Sequence, residues 1–173
     1  MIIVEISKMQ PPTLAIIVGT KKTNMETIII GIDPGVKTGF AIKDLKTGIY
    51  TSIETLKIYQ GFEKINLLLE KPNLQIYVIV EDARKRKWFG DTSRERLQGA
   101  GSVKRDSKAW EDFLIDKEIP HRLQAPKATK TNSKLFQKII PYKGRTSEHA
   151  REAAMFIRPI NKNTLKMFFL NKK

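Results

Sequence analysis

The chain has 173 residues, 40% of them hydrophobic and none of them cysteine. That length supports one domain with a real buried core, and the missing thiols exclude a disulfide framework and a thiolate zinc site. With only two histidines, any bound metal would be held mainly by oxygen. No apolar run approaches the ~20 residues of a membrane-spanning helix, so a soluble protein without a membrane partner is expected. The net charge of +14 is unevenly placed: residues 84–145 carry 17 Lys and Arg against 7 Asp and Glu, while residues 25–83 carry 6 against 8. A phosphate backbone is the usual partner of such a basic stretch, because neutralising it releases counterions. A solubilising face is the plainer alternative.

Residues 1–24, with short apolar runs broken by Pro11-Pro12 and followed by Lys21-Lys22, lack the layout of a secretory signal. They read as an N-terminal extension ahead of a domain over residues 25–160. Thr27 to Ile32 is a β-branched run stopped by Asp33-Pro34-Gly35 and predicts a buried strand and a tight turn. Thr38 to Lys43 predicts a second strand, Asp44 to Gly48 a hairpin connection, and Ile49 to Leu56 a third strand, making an antiparallel meander. Phe62, Ile65, Leu68 and Leu69 fall at helical spacing up to Pro72-Asn73. Leu74 to Val80 is apolar enough for a central strand.

After Glu81-Asp82 a very basic loop leads into a helix from about Thr92, whose Gly99 and Gly101 mark either close packing or a break. Trp110, Phe113 and Leu114 form one face of it, serving a core or an interface. His121 to Ala125 is a short strand, Thr131 to Ile140 a helix and Thr146 to Ile157 a further helix. The Lys-rich stretch 161–173 reads as a loose basic tail. The resulting order is β-β-β-α-β-α-β-α-α.

Asp33 and Glu81 each end a strand, where side chains emerge at the edge of a sheet. Two such carboxylates on adjacent strands suit Mg²⁺ or Mn²⁺, although either one alone is commonly a turn feature. A third acidic group lies in Thr146 to Ile157. Ala150, Ala153, Ala154 and Ile157 make a narrow stripe that lets this helix approach a sheet, and His149 and Glu152, three apart, share a face beside it. Glu148 with Glu152 is the competing pair, and a solvated helix start favoured by the macrodipole is the third option.

GIDPGVKTGFAI (31–42), VIVEDA (78–83) and HAREAAMFI (149–157), in this order and with the basic middle, resemble the RuvC family of Holliday junction resolvases, particularly its phage members. The resemblance covers roughly residues 25–160. It implies an α/β RNase H-like fold: a five-stranded mixed sheet, three antiparallel strands followed by parallel ones, flanked by helices. It also implies a homodimer acting on four-way junctions or other branched DNA by two-metal hydrolysis, with two Mg²⁺ ions per site, Mn²⁺ as a substitute and 5′-phosphate products. Asp33, Glu81, His149 and Glu152 are the implied catalytic and metal-binding residues. Glu152 departs from the Asp that the family carries there. Asp82 is a spare carboxylate that should face the other way from Glu81.

Candidate DNA contacts are Arg84, Lys85, Arg86, Lys87, Trp88 and Phe89 in the loop after Glu81, Lys104 and Arg105 on the following helix, and Lys127, Lys130 and Lys134. An aromatic on a basic loop can stack on unpaired bases, or simply anchor the loop. Two other readings stand beside the resolvase: a broader nuclease of the same fold cutting flaps or RNA–DNA hybrids, and a junction-binding protein whose site no longer works.

Overall fold

The computed structural model describes residues 25–85, 94–126 and 130–170. Residues 1–24 lie outside them. Strands β1 (Glu26–Asp33), β2 (Thr38–Asp44) and β3 (Tyr50–Leu56) are followed by helix α1 (Ile58–Leu69), strand β4 (Leu74–Glu81), a 3₁₀ turn (Ala83–Lys85) and helix α2 (Arg94–Asp116). Strand β5 (His121–Gln124) and helices α3 (Ser133–Ile139), α4 (Glu148–Ile157) and α5 (Lys162–Leu170) follow among the described residues. The sheet order is β3-β2-β1-β4-β5. The first three strands are antiparallel, and β4 and β5 run parallel to β1. This is the RNase H-like α/β arrangement.

The sheet is covered on both sides, which is why β1 is apolar nearly throughout instead of alternating. Ile28, Ile30, Ile32, Phe40, Val78 and Val80 pack under α1 and α2, against Ile65, Trp110 and Leu114. Trp110 and Leu114 are fully buried, so the apolar face of α2 serves the core. Ile29, Ala41, Ile53 and Ile79 pack on the other side against Ala150, Ala153, Ala154, Phe156 and Ile157.

α4 lies on the sheet more closely than ordinary helix packing allows. A Cβ on Gly31 would overlap the Ala153 carbonyl, and one on Gly39 would overlap the His149 carbonyl. Both positions therefore require glycine for close backbone approach. The alanine stripe supplies the matching flatness on the helix side. At the far end of α4, the ammonium of the buried Lys43 donates to the carbonyls of Arg158 (2.9 Å) and Ile160 (2.7 Å), satisfying acceptors that a helix end leaves open. Burial, and then the charge of Arg158, pull the Lys43 pKa below its ordinary value.

Two features differ from expectation. α2 runs unbroken through Gly101, and a Cβ there would meet nothing within 4 Å, so this glycine neither breaks the helix nor admits a neighbour. The stretch expected as a loose tail contains α5, which buries Leu165 and packs Phe168 and Phe169 against the α4-side core. Among the described residues no helix is long and apolar enough to cross a membrane.

Candidate metal and nuclease site

The parallel register of β1 and β4 pairs Ile32 with Val80, so one step further along sets Asp33 beside Glu81 at the sheet's edge. Side chains alternate along a strand. Asp33 therefore shares a face with Ile29 and Gly31, and Glu81 shares one with Ile79, which in both cases is the α4 side. On β2, Gly39 pairs with Asp33, and the His149 carbonyl rests over Gly39. The close helix approach thus brings His149 to the strand end. Its Nδ1 stands 2.7 Å from Asp33 Oδ2, with the Asp33 side chain 12% exposed and the imidazole 43%. When Nδ1 carries the proton it donates to the carboxylate and leaves Nε2 as the basic nitrogen.

The first turn of α4 is fixed independently. Ser147 caps it by accepting from the Ala150 N–H at 3.1 Å, and its hydroxyl lies 2.6 Å from that of Thr55 on β3. The capped start fixes the helix turn that carries His149, and the sheet register fixes the Asp33 end.

Glu152 is 6% exposed, and its Oε1 accepts the backbone N–H of Thr131 at 2.6 Å. Glu148 points outward, half exposed, and is paired with Lys130. His149, Glu148 and Glu152 therefore take three different partners, Asp33, Lys130 and the Thr131 N–H. The Glu148 contact raises the Lys130 pKa; burial opposes this, and the charges of Glu148, Asp33 and Glu152 add to the rise. Lys130 in turn holds the Glu148 carboxyl below its ordinary value.

The donor chemistry at this edge, carboxylates with one imidazole, fits a hard divalent cation. Asp33 and Glu81 are the oxygen donors whose placement on the sheet edge suits that role. Among the described residues, however, no three His, Asp or Glu side chains converge on one ion position, and Glu152 is turned to the Thr131 backbone.

Asp82 faces away from this site, as alternation requires. It is buried and takes Arg84 in two contacts, Nε to Oδ1 at 2.7 Å and Nη2 to Oδ2 at 3.0 Å, while Arg84 Nη1 reaches Glu111 on α2 at 2.8 Å. Burial alone would raise the Asp82 pKa, but the hydrogen bonds and charge of Arg84 outweigh it and hold it low. Arg84, one of the candidate DNA contacts, thus clasps the end of β4 to α2. Ser107, buried on α2, donates to the Glu81 carbonyl at 3.3 Å and steadies the same strand end.

The other expected DNA contacts divide. Lys85 donates to the Leu123 carbonyl at 2.7 Å. Arg105 is 80% exposed on α2, Lys104 is half-buried there, and Lys134 is exposed on α3. Arg86, Lys87, Trp88, Phe89 and Lys127 lie outside the described residues. Sequence reasoning missed Gly31, Gly39 and Lys43. Glycines inside strand patterns, a signal of close backbone approach, pointed to the first two, and nothing in the pattern marked the third.

No family model and no curated protein matches this chain. Among solved structures it is similar to T. thermophilus RuvC in complex with Holliday junction substrate, at 15% identity and a TM-score of 0.48, over 73% of this chain and 87% of that one.

Proposed function

We propose that this chain is a metal-dependent endonuclease that nicks branched DNA, with four-way junctions as its substrate. The observation that carries the reading is the pairing of Asp33 and Glu81 at adjacent strand ends on the α4 side, with His149 seated on Asp33. The concentration of basic residues in 84–145 supplies the expected attraction for a phosphate backbone.

Asp33 and Glu81 would hold Mg²⁺ or Mn²⁺. When bound, such ions activate water and stabilise the leaving oxygen of an in-line displacement at phosphorus. The protein's own contribution is positional. The Gly31 and Gly39 approach sets α4 against the strand end, and the Asp33 carboxylate fixes the His149 ring. Nε2 of that ring then accepts a proton from a water poised at the scissile phosphate. Symmetrical nicking calls for two equivalent sites, hence a homodimer.

Incubation with a four-way junction and a matched linear duplex in Mg²⁺ tests the reading. Paired nicks confined to the junction are expected, and equal cutting of the duplex overturns the branched-DNA specificity. A second reading, junction binding without cleavage, is favoured by one observation, the engagement of Glu152 with the Thr131 backbone. Absence of cutting in both Mg²⁺ and Mn²⁺, with retained junction binding in Ca²⁺, would establish it.

A further inference from the structure

Thr131 is gripped from two sides by successive residues of α4. Its N–H donates to Glu152 Oε1 at 2.6 Å, and its carbonyl accepts from Arg151 Nε at 3.0 Å. Arg151 is itself braced by Nη1 donating to the Thr146 carbonyl at 2.8 Å. Both hydrogen-bonding groups of one peptide position are thus taken by one helix, at a point where the described residues between β5 and α3 belong to no strand or helix. The neighbouring Lys130 is carried to Glu148 and into the field of Asp33 and Glu152. Asn132 then caps α3 by accepting from the Leu135 N–H at 2.9 Å, so the held segment leads directly into the next helix.

We propose that Glu152 and Arg151 form a latch that fixes the 130–132 segment on the first turns of α4, the helix that carries His149 to Asp33, making Glu152 a positioning residue for Lys130 and not an ion ligand. This rests on the reading of Asp33 and Glu81 as ion holders. Glu152 is nearly buried, and a buried carboxylate needs hydrogen-bond donors. Here a backbone N–H provides one. The length of glutamate is what reaches Thr131, and an aspartate, one methylene shorter, falls short. The latch therefore gives a physical reason for Glu at a position where an ion ligand could be either acid.

The two roles predict opposite rankings of substitutions. A latch needs length and an acceptor oxygen, so Glu152→Gln should replace it and Glu152→Asp should not. An ion ligand needs a carboxylate, so Asp should serve and Gln should fail. Three readouts on the full chain separate them: hydrogen exchange at the Thr131 amide, Mn²⁺ affinity by calorimetry, and junction affinity in Ca²⁺.

With a latch, Gln keeps Thr131 protected, while Ala and Asp speed its exchange about tenfold or more, the scale of a hydrogen bond to a charged group. Ala and Asp also lower junction affinity about fivefold as Lys130 loses its placement. Mn²⁺ affinity stays within about twofold in all three variants. Mn²⁺ affinity that collapses in Gln and survives in Asp makes Glu152 an ion ligand and overturns the proposal. Unchanged Thr131 exchange in both Ala and Asp also overturns it. Asp33→Asn, measured in parallel, isolates the underlying reading: if it leaves Mn²⁺ affinity intact the ion site fails, and Thr131 exchange still judges the latch.

Discussion

His149 Nδ1 and Asp33 Oδ2 meet at 2.7 Å across 116 residues of sequence, joining the first turn of α4 to the end of β1. If the imidazole delivers a base to the reaction, His149→Ala lowers the single-turnover cleavage rate about 100-fold or more. Junction affinity in Ca²⁺ is unchanged by it. A loss seen in affinity alone would assign the histidine to binding.

Asp33→Asn and Glu81→Gln should each abolish cutting in Mg²⁺, by at least about 100-fold, while leaving junction binding in Ca²⁺ intact. Gel-shift and cleavage assays on the same preparations check both halves. Equal loss of binding and cutting would mean that these carboxylates maintain the fold.

Three glycines make a contrasting set. Gly39→Ala and Gly31→Ala place a methyl group against backbone carbonyls of α4, and should cost about 3 kcal/mol or more, since neither partner can rotate away. Gly101→Ala, exposed and with open space around its Cβ, should instead stabilise by about 0.5–1 kcal/mol through helix propensity. Urea unfolding measures all three. A tolerated Gly39→Ala would show that α4 sits further from the sheet.

Asp82 gives a signed pH dependence. Its native pKa lies below the ordinary 3.8, so its contribution is complete above that value and is lost as pH falls through the lower native one. Asp82→Asn should destabilise the protein at neutral pH by about 2 kcal/mol, because Arg84 and its buried partner are uncoupled. It should also flatten the fall of urea midpoint as pH drops below about 4. An unaltered acid limb would show that Asp82 is not held by Arg84.

Arg105 and Lys134 are exposed cations on α2 and α3. If each touches a phosphate, alanine at either position should reduce the slope of log affinity against log salt by about 1. Arg84→Ala should leave that slope alone and lower stability instead.

The β-elements were legible because they obey local rules. The β-branched run Thr27 to Ile32, stopped by Asp33-Pro34-Gly35, reads as a buried strand, and β1 is one. The DLKTG connection folds as a turn because Asp44 Oδ1 accepts the N–H groups of Lys46 and Thr47 and Gly48 takes a positive φ of 75°. α5 was illegible because its apolar residues, Leu165 and Met167 to Leu170, form one short cluster flanked by lysines, and so short a helix is held by docking on the core. Around the candidate site, the places of Asp33 and Glu81 at strand ends and of His149 on the first turn of a helix were legible from the local pattern. The engagement of Glu152 was not, because its partner is a backbone N–H, which every residue except proline offers. The pairing of Arg84 with Asp82 and Glu111 was hidden for a related reason: a basic run signals charge, and only tertiary contact shows which cations are paired.

Lys43 and Gly39 lie on the same strand face, four residues apart, and between them they make β2 a ruler for α4. Four strand residues span about 13 Å, close to the roughly 14 Å of helix from His149 to Arg158. The glycine receives one end of that length and the ammonium grips the other. One residue added within the helix would advance its end by about 1.5 Å and turn it by about 100°, so either His149 leaves Asp33 or the carbonyls leave Lys43. The length of α4 is thereby set by β2, and insertions should be confined to the loops on either side of it.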